Sequence, residues 1–261
     1  WVNDDGSIGE FNNAYVESIE HKMGINGSAT CQLSFGNRAP TYGYMVGEPC
    51  SGIVYMFQLM NEARIMCAVQ ASAIANASYQ QAIAYAKDRK QGGDVTDLAG
   101  ASVEIIRHPD VRRNLMLMKA YAEGTRALIA RAAWAADFSM SSDSESEKEN
   151  YHNMLDLMIP IVKAYSTDKS FRTTELGIQV FGGYGYCRDY PMEQYMRDVK
   201  ITSIYEGTNG IQALDLLGRK MRLKGGSLFM QYVMELSQFV EQHKGHAVLG
   251  AASETLGEAQ G

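Results

Sequence analysis

The chain has 261 residues, 46% of them hydrophobic and 21% charged, and a net charge of -6 at pH 7. These are the proportions of a folded globular protein, and the acidic balance argues against a general nucleic-acid binder, which carries a basic footprint. No apolar run approaches the ~18 residues of a membrane span, and the polar, acidic start Trp1–Asp5 does not suit a signal peptide. Cys31, Cys50, Cys67 and Cys187 contain no C-x-x-C pair. They therefore read as reduced cytosolic thiols rather than as zinc ligands or a disulfide framework.

Residues 1–51 alternate in short runs, Ala14–Ile19 and Thr30–Phe35, with turns at Asp5-Gly6 and Asn26-Gly27. These predict strands, too few to bury a core of their own. From Gly52 the apolar and small residues recur at three to four, which predicts a helix from Ile53 to Arg89, broken near Asn61 and ended by Gly92-Gly93. Pro109-Asp110 starts a second helix that runs to about Phe138. Ser139–Asn150, rich in serine and glutamate, reads as a loop. A helix over 148–165 carries Pro160, which predicts a kink. Ser166-Thr167-Asp168 then caps a further helix ending at Gly182-Gly183. Pro191 opens a short helix to about Ile201, Glu206-Gly207-Thr208 opens another to Gly218, and Ser227 caps a last one to Lys244. The tail beyond is small and polar.

The segment Ile204-Tyr-Glu-Gly-Thr-Asn-Gly-Ile-Gln212 sets a carboxylate on the junction before a helix. By spacing alone Glu206 reads first as a first-turn acid favoured by the helix dipole. Bulky Ile204, Tyr205, Ile211 and Leu214 around it would desolvate the carboxylate and raise its pKa toward ~6–7, the range of a useful base. Gln179-Val-Phe-Gly-Gly-Tyr-Gly185 is either a glycine helix cap or a place where backbone approaches a phosphate or ring. Arg89-Lys90-Gln91 is either a solvated helix end or an arginine fork for a pyrophosphate. The five histidines have no metal-ligand spacing.

Taken in order, Gln179–Tyr186, Arg197-Asp198 and Ile204–Gln212 resemble the C-terminal half of the acyl-CoA dehydrogenase family, whose flavin enzymes desaturate acyl thioesters. The likeness runs from about Ser18 to Arg222. It implies a mainly α fold, an up-down helical bundle preceded by a few strands. Residues 1–51 would end a middle β domain, 52–222 would form the bundle, and 223–261 would begin an added C-terminal helical segment. That extension resembles a larger bacterial branch, some of whose members act on methylthiopropanoyl-CoA.

The resemblance implies FAD as cofactor and Glu206 as the base that removes the α proton of an acyl-CoA, with hydride passing to flavin N5. Thr208 and Gln212 would meet the flavin of their own subunit. Gln179, Gly182 and Gly183 would meet the adenine and pyrophosphate end across a dimer interface, and Arg89 and Gln91 the flavin of a neighbouring subunit. Asn61, Arg64, Tyr205 and Gly207 would face the substrate. Arg197 and Asp198 would pair and order the Glu206 loop. Some relatives carry the base on the first long helix, where this chain has Ala63. Glu62, one residue earlier, is turned by about 100° and reads as a surface acid. Gly92-Gly93 stands where the family has Phe-Gly. The implied protein is a cytoplasmic homodimer or homotetramer passing electrons to an electron-transfer flavoprotein, and this chain an internal piece of it or one polypeptide of a split enzyme. Two other readings are an acyl-CoA oxidase using oxygen and a helical assembly piece that binds no flavin.

Overall fold

A computed structural model describes residues 1–259, and the chain divides into two compact units between Met60 and Asn61. In the first, β1 (Ala14–Ile19) pairs antiparallel with β2 (Cys31–Phe35), Ala14 opposite Phe35 and Ile19 opposite Cys31, with a bulge between Val16 and Ser18. Ser34 is the one buried residue among those described in this unit, while Val16, Leu33 and Phe35 remain exposed. A single hairpin offers no second layer against which an apolar face could be covered.

The second unit is helical. Its elements are α1 (Gly52–Asp88, which begins in the first unit), α2 (Pro109–Ser141), α3 (Glu145–Phe181), α4 (Met192–Lys200), α5 (Asn209–Gly218), α6 (Ser227–His243) and α7 (Gly250–Glu258). Ala68, Ala71, Ala75, Ala82 and Ala86 are buried along one face of α1, three, four or seven residues apart as one helical stripe requires. Their short side chains let neighbouring helices come close. Where α1 meets α2, Ser72 Oγ lies 3.2 Å from Thr125 Oγ1. Where α1 meets α3, Gly177 leaves no room for a Cβ, which would collide with Ser78 Oγ and sit 3.1 Å from Met192 Sδ. Met118, Leu115, Leu176, Val180, Phe181 and Met192 close the core at that end. The central helix α3 packs against α2, α4 and α5. Residues on every side of its second half are buried, so it lacks the single apolar stripe of a surface helix.

Several expected boundaries move. α1 runs unbroken through Asn61 and stops at Asp88, before the glycine pair. The Ser139–Asn150 loop shrinks to a short link, because α2 continues to Ser141 and α3 starts at Glu145. Ser144 caps α3 by accepting from the Glu147 N–H, a Ser-x-x-Glu start hidden in a stretch read as polar linker. The two helices expected over 148–181 are one. Pro160 and Ser166-Thr167-Asp168 lie inside α3, and Thr167 Oγ1 donates back to the Lys163 carbonyl at 2.8 Å instead of capping. Burial on several sides outweighs the local preference of those residues for a helix end. Gly226, not Ser227, holds the cap position of α6, and the small, polar tail contains α7.

Candidate active site

Between α4 and α5 the chain makes a 3-10 turn over Ile201–Ser203 and then the junction Tyr205–Thr208. Glu206 has φ +54 and Gly207 φ +88. The left-handed region costs a non-glycine residue roughly 1–2 kcal/mol, so something must hold Glu206 there. The holding groups reach its carbonyls from the interior. Arg64 Nε donates to Glu206 O at 3.3 Å and Lys163 Nζ to Gly207 O at 2.7 Å. Gln212 Nε2 spans both, at 3.5 and 3.2 Å. A Cβ on Gly207 would stand 2.6 Å from that Gln212 nitrogen, a second reason besides φ for glycine here.

Among the described residues no peptide bond is cis. In a trans peptide the N–H points opposite to the preceding C=O. With the carbonyls of Glu206 and Gly207 drawn inward, the N–H groups of Gly207 and Thr208 are turned away from the interior cations. Among the described residues, none of the N–H groups of Glu206, Gly207 and Thr208 donates to a protein acceptor. Thr208 caps α5 by accepting from the Ile211 N–H at 3.3 Å. The site therefore combines a partly exposed carboxylate with unspent backbone donors at a helix start, a place suited to anionic or polarised oxygen.

The polar shell beneath this junction is buried. Arg64 is 5% exposed and faces Asp215 at 3.5 Å, and Asp215 also takes Arg219 at 2.7 Å. Lys163 has no exposure at all. Besides Gly207 O it donates to Asn209 Oδ1 at 3.0 Å, and Asn209 Nδ2 in turn donates to Asp168 at 2.7 Å. Burial pulls the Lys163 ammonium below the ordinary lysine range. The Tyr205 hydroxyl donates to Gln70 Oε1. Burial, with Cys67 adding to it, pushes that phenol up to about 12. Burial likewise pushes the Cys67 thiol up.

Of the residues expected at the site, Arg64, Tyr205, Glu206, Gly207, Thr208 and Gln212 converge here, and Asn61 lies one turn before Arg64 on the same face of α1. Two differ from expectation. Arg64 is turned onto the Glu206 carbonyl and Asp215, so its guanidinium serves the loop. Gln212 is fully buried and spends its amide nitrogen on the same two carbonyls. Lys163, Gln70, Cys67, Asn209 and Asp215 were missed by sequence reasoning. For Lys163 a signal exists, a single cation within the otherwise apolar run Leu157–Ala164. Arg197 forks onto Glu193 at 2.6 and 2.8 Å, one turn back along α4, and Asp198 accepts from Gln194 at 3.3 Å. One ion pair of the arginine thus runs along its own helix to Glu193. Glu62 is exposed.

The other expected residues gather at the far end of α1. Arg89 lies over the Tyr184 ring at 5.6 Å, and Tyr85 stacks on Phe181 at 4.0 Å. Gly182 (φ +61) ends α3, its N–H returning to Gln179 O. A Cβ on Gly182 or Gly183 would meet nothing within 4 Å, so this turn is open to close approach. Gln91 holds its backbone to Val103 at 3.0 Å and its side chain is exposed along with Gln179. At about 1.5 Å per residue, α1 separates Arg64 from its last residue, Asp88, by roughly 36 Å. The two groups are thus distinct places on one chain. Among the described residues no cluster of His, Cys, Asp and Glu is arranged for a metal, and no helix is long and apolar enough to cross a membrane.

A long bundle helix, a carboxylate on a strained helix-opening junction and a glycine turn after the central helix define the class. Residues 51–221 match the family model described as "Acyl-CoA dehydrogenase, C-terminal domain". The chain belongs to the acyl-CoA dehydrogenase family. It is 41% identical over 249 residues to a butyryl-CoA dehydrogenase of Syntrophomonas wolfei, covering 94% of this chain and 41% of that protein. It is 39% identical over 257 residues to a 3-methylmercaptopropionyl-CoA dehydrogenase of Ruegeria pomeroyi, covering 98% of this chain and 43% of that protein. Among solved structures, butyryl-CoA dehydrogenase from Megasphaera elsdenii superposes with a TM-score of 0.65 at 30% identity, over 80% of this chain and 49% of that one. The chain spans about two fifths of the length of the curated relatives it matches.

Proposed function

We propose that this chain carries the base and part of the cofactor site of an FAD-dependent acyl-CoA dehydrogenase. The observation behind this reading is the Glu206 junction. A carboxylate residue is held in a left-handed conformation while interior cations take its carbonyls and its backbone N–H groups stay free. Strain of this kind persists only where the surroundings enforce it, and it gathers at functional sites.

In this reading the Glu206 carboxylate removes the α proton of an acyl thioester. The Glu206 N–H meets the thioester oxygen, where negative charge grows as the proton leaves, so that the donor stabilises the transition state more than the ground state. Tyr205 and Gly207 line the acyl end, with Asn61 beside them on α1. Arg64 and Gln212 act through the loop that they hold. Bound FAD would supply the two-electron acceptor for the β-hydride, held by Thr208 and the N–H groups at the start of α5.

The residues present fit that cofactor in two places. Thr208 and the unspent N–H groups at the start of α5 suit an anionic or polarised oxygen. Arg89, Gln91, Gln179 and the open Gly182-Gly183 turn suit a pyrophosphate and its adenine. The two groups lie toward opposite ends of the helical stretch from Arg64 to Asp88, about 36 Å long at 1.5 Å per residue, which supports a homo-oligomer in which two copies share each cofactor. The family likeness supports an electron-transfer flavoprotein as acceptor. Free Cys31, Cys50, Cys67 and Cys187 suit a reducing, cytoplasmic setting.

The test uses the full-length, flavin-loaded protein. Glu206→Gln keeps acyl-CoA and flavin bound but slows flavin bleaching by substrate on the order of 10³-fold or more, in the range that a lost general base removes. Bleaching at the parent rate would overturn the assignment.

A further inference from the structure

Lys163 and Lys220 are the largest fully buried side chains of the described residues; Lys220 pairs with Asp156, whereas none of the ion pairs among the described residues includes Lys163. A buried ammonium without a counter-ion is costly and is replaced by an apolar side chain unless its hydrogen bonds are needed. Asn209 bridges it to the Asp168 carboxylate. Its shortest bond goes to the Gly207 carbonyl, at 2.7 Å. That carbonyl belongs to the peptide whose N–H is on Thr208, so whatever orients the carbonyl also orients a free donor of the site.

Resting on the reading above, we propose that Lys163 is a positioning residue for proton abstraction. From the middle of α3 it grips Gly207 O and Asn209 Oδ1, and so keeps the Glu206–Gly207 junction in its left-handed form with its N–H groups facing outward. Arg64 performs the neighbouring task on the Glu206 carbonyl, but Arg64 has Asp215 to neutralise it and fixes α5 as well. Lys163 makes no ion pair among the described residues, and besides Gly207 O it bonds Asn209 Oδ1 at the start of α5, so the test must separate rate from stability. Gln212 Nε2, at 3.2 Å from Gly207 O, is the donor left to that carbonyl among the described residues without the lysine.

The experiment replaces the ammonium by a stem of similar length, Lys163→Met, in the full-length flavin-loaded protein. Three quantities are read: turnover with an acyl-CoA, exchange of the substrate's α hydrogen with D₂O using a thioester that cannot be oxidised, and amide exchange in the flavin-free protein. We expect kcat and α-hydrogen exchange to fall about tenfold or more through loss of orientation, with KM and melting temperature near the parent. Amides over 204–212 exchange faster, while those of α2 do not change. Lys163→Gln, which keeps an N–H donor, recovers part of both rates. Parent-level kcat and α-exchange in Lys163→Met, with only a lower melting temperature, would show a packing role and overturn the proposal. If Lys163→Met does not fold, Lys163→Gln decides on the same rates, unchanged values again overturning it. Glu206→Gln serves as reference. If that variant still exchanges the α hydrogen, the base assignment fails, whatever the lysine does.

Discussion

At the scale of single residues, the site is a contest between a strained backbone and the groups that restrain it. Glu206 occupies a conformation that costs roughly 1–2 kcal/mol, and Arg64, Lys163 and Gln212 together offset it through hydrogen bonds to charged or buried groups, each worth about 1–3 kcal/mol. Tyr205 sits behind them, with its hydroxyl on Gln70. Its phenol, ordinarily near 10.0, is pushed up to about 12 by burial. Between those values the folded protein keeps a proton that the unfolded chain has released. The native state then binds more protons, and stability falls as pH rises. Tyr205→Phe should remove this contribution, so that urea midpoints decline less steeply between pH 9 and about 11 in the variant than in the parent. Equal slopes would mean that the phenol titrates alike in both states.

At the scale of elements, the bundle depends on small residues where helices touch. Gly177 is the clearest case, because an added Cβ would meet the buried Ser78 hydroxyl, Met192 Sδ at 3.1 Å and Met118 Cε at 3.4 Å. Alanine gains about 1 kcal/mol of helix propensity there. Overpacking costs about 1–3 kcal/mol, and with three neighbours fixed in the core the clash should prevail. Gly177→Ala is therefore expected to be destabilised by about 1–2 kcal/mol in chemical denaturation, with Ser78→Ala restoring part of it in the double variant. A stabilised Gly177→Ala would show that α1 and α3 have slack where they meet. The same packing explains why α3 passes through Pro160 and Ser166 without ending.

At the scale of the whole molecule, the Glu206 junction and the Arg89–Gly183 group stand apart along α1, and the proposed sharing of a cofactor between copies can be tested there. If two copies complete each cofactor site, defects at the two ends complement one another. Arg89→Glu should cost about 2 kcal/mol of flavin binding through the loss of a charged contact, and Glu206→Gln should remove the base. Co-expressed full-length chains carrying one defect each would form mixed assemblies in which one site has both native groups. Their activity should rise well above the mean of the two parents. Activity at that mean would place both ends of the cofactor on a single chain and would require the long helix to be bypassed.

Along the chain, neighbours speak to neighbours, and that much was readable directly. Apolar recurrence at three to four marked the helical class. Pro109, Thr208 and the Gly182-Gly183 pair marked helix ends, because a fixed φ, a hydroxyl acceptor or a missing Cβ acts within one turn. The Tyr-Glu-Gly-Thr run identified the junction and its acid for the same reason. What holds that acid was decided elsewhere. Lys163 lies 44 residues from the carbonyl it grips and Arg64 lies 142 residues from its own. No local rule separates a lysine or arginine turned inward from one in solvent. The unbroken course of α1 and α3, the inward turn of Arg64 and Gln212, and the long gap between the two groups of site residues all came from packing. Burial energy shared among distant helices outweighs the fraction of a kcal/mol by which a local cap or breaker prefers to end one.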